Sequence, residues 1–206
     1  MPTDLILLVA DKNIEYGVRG LLGRPQALGI RAVTSKIYVH PQRDPACAQK
    51  PHEFLRQFSR DYDRALVLFD HQGCGMENRT PSDVEGTVRQ LLSANGWDTR
   101  ADAVVIAPEL EAWVFSAAPQ VETCLSWTGP PPLRQWLETR GLWLQHHPKP
   151  ADPKTALETA LAKLRRPRSS AIYETLASAV GFGQCQDLAF NRFRTVLQNW
   201  FPPADN

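Results

Sequence analysis

Cysteine pairs are missing from this chain: Cys47, Cys74, Cys124 and Cys185 are scattered without a Cys-x-x-Cys motif. That spacing argues against a structural zinc site and against a dense disulfide framework, so reduced thiols in a cytosolic protein are the expectation. An excess of one charge is missing too. Lys plus Arg total 23 against 22 for Asp plus Glu, a formal net charge of +1. No global field therefore draws the chain to nucleic acid or to an anionic membrane, and any contact with a polyanion has to be local. Nor is there a long apolar run: residues 5–10 are too few and too poorly flanked for a signal peptide or a membrane span. Internal repeats are absent. With 43% hydrophobic and 22% charged residues the chain is far from the composition of a disordered segment. Its 206 residues suffice for one well-buried core and are short for two, so a single domain over residues 1–206 is expected.

What is present alternates between strand and helix. Leu5-Ile6-Leu7-Leu8-Val9-Ala10 and Ala65-Leu66-Val67-Leu68-Phe69 are continuous apolar runs, and Ala103-Val104-Val105-Ile106-Ala107 is a third. Such runs mark strands buried on both faces of a parallel sheet. Residues 30–39 read as a further strand, with Val33, Ile37 and Val39 on alternate positions. Helices are predicted over residues 15–28, over 51–62, and after Thr80-Pro81, where Val84, Val88, Leu91 and Leu92 form one stripe. Residues 119–133 are rich in proline and read as a loop. Beyond them Asp152-Pro153 starts an amphipathic helix, and two more are expected near 170–180 and 186–200. The fold class is thus α/β: a largely parallel central sheet of about four strands flanked by helices, with additional C-terminal helices. The core spans about residues 1–118 and the helical C-terminal part about 134–201.

In an open parallel sheet, ligands bind outside the carboxyl ends of the strands. The apolar runs end there in acidic residues: Asp11 and Glu15 after the first, Asp70 after the second, Glu109 and Glu111 after the third. Carboxylates gathered at one edge repel one another until a proton or a hard cation intervenes, and Mg²⁺ or Mn²⁺ is the usual oxygen-ligated partner. The same residues can instead serve as helix N-caps and first-turn charges. His71, in the loop His71-Gln72-Gly73-Cys74-Gly75, could act as acid, base or ligand, or simply belong to a turn. Cys74 has no paired base in sequence. Arg165-Arg166-Pro167-Arg168 is a short basic patch that could meet phosphate or remain solvated, and Trp127, Trp136 and Trp143 could stack bases or anchor the core.

Three segments together resemble a known family: Asp11-Lys12-Asn13-Ile14-Glu15, then Asp70-His71-Gln72, then Pro108-Glu109-Leu110-Glu111-Ala112-Trp113. In this order they are similar to Toprim-like proteins, including a small bacterial family related to the OLD-type and RloB-type defence nucleases. Asp152-Pro153-Lys154-Thr155-Ala156-Leu157 and Leu188-Ala189-Phe190-Asn191-Arg192-Phe193 resemble the helices that follow in that family. The resemblance implies a Toprim-like fold and a Mg²⁺ or Mn²⁺ site for phosphoryl transfer, with Asp11 or Glu15 in the first acidic role and Asp70 in the second. Gln72 stands where the family's Asp-x-Asp has its second aspartate, and Glu109 and Glu111 could compensate. A cytoplasmic, metal-dependent nuclease of antiviral defence is what the resemblance implies. Its partners would be nucleic acid and other defence-system proteins, and no membrane is involved. The alternative is a non-catalytic sensor or scaffold subunit of a defence complex.

Overall fold

A strand made only of large apolar residues must be covered on every side, and the first run is. In the computed structural model, which describes residues 3–116, 118–181, 185 and 187–203, strand β1 (Thr3–Val9) has its residues from Leu5 onward fully buried. It lies between β2 (Ser35–Val39) and β3 (Tyr62–Asp70), and β4 (Ala101–Ile106) completes a sheet of order β2-β1-β3-β4. Every pairing is parallel. The expected α/β class with its parallel sheet of four strands is therefore the fold observed.

Helix α1 (Lys12–Leu22) begins at an N-cap, Asp11, whose carboxylate accepts from the Ile14 N–H at 2.9 Å. The predicted helix over 15–28 is broken after Leu22, because Arg24 precedes Pro25 and a residue before proline is pushed out of the helical region. Pro25 then opens the short α2 (Pro25–Leu28), which ends at Gly29 in the left-handed region. Strand β2 is shorter than the predicted 30–39. Asp4 holds the preceding segment as a loop by accepting from the Thr34 N–H and hydroxyl and from Arg31.

Two short helices, α3 (Arg43–Gln49) and α4 (Pro51–Leu55), lead to β3, and α5 (Pro81–Leu92) with Thr80 as N-cap leads to β4. Past β4 the chain forms α6 (Glu111–Val114), α7 (Pro119–Leu125) and α8 (Leu133–Glu138). Residues 119–133 are thus not all loop. Proline suits the first turn of α7, and Val121 and Leu125, four apart, bury against the core.

The remaining helices are α9 (Pro153–Lys163), α10 (Ser170–Ala179) and α11 (Leu188–Trp200), all three anticipated in the sequence. They join the sheet's own core rather than forming a second one. Trp113 packs on Phe190 and Phe193 of α11 at 5.5 and 5.4 Å between ring centroids. Arg192 pairs with Glu85 of α5 at 2.8 Å and Asp102 of β4 at 2.6 Å. Among the described residues no helix is long and apolar enough to cross a membrane, and all four cysteines are free thiols.

Helix α10 lies directly on α1, and Gly20 permits it. A Cβ there would stand 2.6 Å from the Glu174 carbonyl oxygen and 3.0 Å from the Ala177 Cβ. Gly20→Ala improves helix propensity yet forces these helices apart, so the net expected effect is a loss on the order of 1 kcal/mol, read from the urea midpoint. An unchanged or raised midpoint would show that the two helices separate freely.

Candidate functional site at the carboxyl end of the sheet

The chain leaves β1 toward β2 on one side and has β3 on the other, so the crevice of this sheet opens at the carboxyl ends of β1 and β3. Because β3 also pairs with β4, the acidic strand ends are neighbours, as their reading as one site requires. Asp70, the last residue of β3, is at the centre of the group.

The Asp70 backbone N–H donates to Asp44 Oδ1 at 2.9 Å, while its own Oδ1 is buried with no hydrogen-bond partner. Burial raises the Asp70 carboxyl well above the usual carboxylate range, and the charges of Asp44, Glu111, Asp11 and Glu109 raise it further. Asp44 is itself raised, chiefly by burial. Of this pair Asp70 is raised the more. Asp44 was absent from the sequence-based candidates. The signal was faint, since Asp44 is a first-turn charge of α3 and not an N-cap like Asp152, and α3 has few large apolar residues.

The other candidates have taken partners. Asp11 caps α1. Glu15 turns along α1 to Arg19 at 2.6 Å, an exposed i,i+4 pair. Glu109 is ion-paired with Lys154, whose ammonium is raised by that hydrogen bond. Glu111 is 2% exposed, and its Oε1 accepts from the Tyr173 hydroxyl at 2.5 Å and from Arg168 Nη2 at 2.8 Å. Arg168 Nε donates to the Tyr173 oxygen at 2.7 Å, closing a triangle, and its Nη1 reaches Glu158 at 2.5 Å. Burial, then the Glu111 charge, pushes the Tyr173 phenol up, so it remains a donor. Arg168 is the one member of the basic patch at residues 165–168 that meets the acidic strand ends. Trp143 is buried, and Trp127 and Trp136 pack on each other at 5.0 Å, so these indoles anchor the C-terminal helices.

His71 is held by its ring: Nε2 lies 3.0 Å from the Arg79 carbonyl oxygen. A carbonyl only accepts, so Nε2 donates in this contact. The structure therefore gathers Asp11, Asp44, Asp70, Glu109 and Glu111 into one electrostatic group, with Lys154 and Arg168 at its rim, and ties Glu15 to Arg19. Among the described residues no three His, Cys, Asp or Glu side chains stand close enough together to hold a metal ion by themselves.

Comparison with protein-family models, with curated proteins and with solved structures finds no match. The class defined by fold and site is an α/β protein whose parallel sheet carries at its crevice a half-buried aspartate with one carboxyl oxygen buried and unpartnered.

Proposed function

We propose that this protein is a component of prokaryotic antiviral defence that carries out divalent-metal-dependent phosphoryl transfer of the nuclease kind at Asp70. The observation that carries the reading is the buried Asp70 Oδ1, which lacks a partner in the midst of like charges. A buried carboxyl so placed calls for a proton or a cation. The donors are all oxygens, which suits Mg²⁺ or Mn²⁺. Among the described residues fewer than three converge, and this suits a small cation held by one or two carboxylates that completes its shell with water and substrate phosphate oxygens. Asp70, with Asp44 or Asp11, would hold it. Such an ion neutralises phosphate charge and makes bound water a better nucleophile. His71 is the acid or base the loop offers, and Lys154 and Arg168 bring positive charge to a rim that would otherwise repel a polyanion. The defence role follows from the resemblance to Toprim-like proteins. With a net charge of +1, affinity for nucleic acid would come largely from partner proteins.

The test is the thermal midpoint of wild type and Asp70→Asn with and without millimolar Mn²⁺ or Mg²⁺. An ion present at a hundred times its dissociation constant adds about 2.7 kcal/mol to the folded state, a rise of about 5–11 °C for a chain of this size. The rise is expected in wild type and not in the variant. Its absence from well-folded wild type would remove the metal site. The second reading, a non-catalytic sensor or scaffold subunit, would then take its place. Two observations favour that reading: Gln72 replaces the expected second aspartate, and Glu15, Glu109 and Glu111 are already engaged by Arg19, Lys154 and Arg168.

A further inference from the structure

The loop directly after Asp70 holds an anion of its own. Gly73 and Gly75 have φ of 87° and 78°, in the left-handed region that favours glycine. Both turn their N–H groups onto one oxygen: Glu77 Oε1 accepts from Gly73 at 2.8 Å and from Gly75 at 3.1 Å. The intervening Cys74 N–H is occupied by the His71 carbonyl. Backbone N–H groups converging in this way form a concavity suited to an oxyanion. They hold the Glu77 carboxyl below its ordinary value, the Glu77, Gly75 and Gly73 N–H groups being responsible, with His71 adding to the effect.

Two further features suit a ligand larger than one oxygen. Nothing lies within 4 Å of where a Gly73 Cβ would be, so the cradle is open on that side. On the other side the Gln49 amide nitrogen is 2.9 Å from the corresponding point at Gly75 and offers another donor. The glutamate itself is exposed. Its carboxylate is held by the loop and by nothing in the core.

We infer that the 71–79 loop is a binding site for a phosphate group, in which the Glu77 carboxylate stands in for one phosphate oxygen and is displaced when phosphate binds. The site adjoins Asp70 at the switch point of the sheet, where phosphates bind in open α/β folds. Identifying this phosphate as part of the substrate rests on the phosphoryl-transfer reading. Anion binding does not, and it is measured without a divalent cation, so either idea can fail alone.

The experiment titrates inorganic phosphate, and separately a short single-stranded oligonucleotide, into wild type, Glu77→Ala, Glu77→Gln and the double variant Glu77→Ala with Gly73→Ala, by calorimetry in EDTA. Glu77→Ala is expected to bind at least about tenfold tighter than wild type, since a charge-assisted competitor has gone. Glu77→Gln, which keeps an acceptor oxygen but no charge, should fall between them. Gly73→Ala, strained at a positive φ, should abolish the gain. A gain for inorganic phosphate alone assigns the cradle to a free or terminal phosphate. A gain that includes the oligonucleotide assigns it to a phosphodiester. Absence of any gain in both Glu77 variants overturns the site, and so does a gain that survives Gly73→Ala, which would reflect only the lost negative charge.

Discussion

Arg168→Ala is expected to lower the thermal midpoint by about 6–12 °C, the equivalent of about 3 kcal/mol for a chain of this length. Glu111 is buried and among the described residues its ion-pair partner is Arg168, with Lys154 acting on it from farther off and the Tyr173 hydroxyl contributing a hydrogen bond but no charge. Removing the cation leaves a carboxylate that must stay charged in an apolar site or take up a proton. The loss is placed at the low end of the range for broken buried pairs because the Arg168 side chain is 34% exposed and water enters when it is cut back. Its bond to Glu158, which is 46% exposed, adds little. The partner experiment is Glu111→Gln in the Arg168→Ala background. The amide keeps an acceptor for the Tyr173 hydroxyl and needs no cation, so most of the lost stability should return. If the double variant is as unstable as Arg168→Ala, the arginine acts through packing on Tyr173, whose ring centroid is 5.6 Å from its guanidinium carbon, and not through the Glu111 charge.

This triangle also marks where the sequence stops being readable. Glu111 is separated from Arg168 by 57 positions and from Tyr173 by 62, and no local pattern reports a contact of that range. In sequence, Glu109 and Glu111 are interchangeable acidic residues after β4. In the fold one is a buried acceptor and the other an ion-paired group with 16% of its side chain exposed. The central strands were legible for the opposite reason. A parallel strand covered on both faces has to be apolar throughout, so β1, β3 and β4 stand out without help from their neighbours. The N-cap at Asp152, with Pro153 at the first position, announced α9 equally plainly. Helix α7 was hidden because the prolines around it read as loop, and α3 because alanine and cysteine make a weak stripe. That the acidic strand ends are neighbours could be expected from a parallel sheet. That Asp44 joins them past the end of β1 could not, because it depends on which side of β1 the second strand lies.

Asp70→Asn, in the absence of divalent cations, is expected to raise stability near pH 8 by about 2 kcal/mol, within the range for relieving an unsatisfied buried polar group. The amide has the shape of the protonated acid and removes the repulsion from Asp44, Glu111, Asp11 and Glu109. The pH dependence identifies the cause. Asp70 has a higher pKa folded than unfolded, so between those two values the folded state binds more protons and loses stability as the pH rises. The wild-type contribution is therefore fully present below about pH 4, the unfolded carboxyl value, and is lost as pH climbs through the folded value. In the variant this slope is absent, and the two urea-midpoint curves should meet near pH 4 and separate above it. Millimolar Mn²⁺ should close the gap from the wild-type side, because a cation at Asp70 opposes the same repulsion that the proton relieves. A variant less stable than wild type at pH 8 would mean that the ionised Asp70 is compensated within the fold, and the case for a cation at this strand end would lose its physical basis.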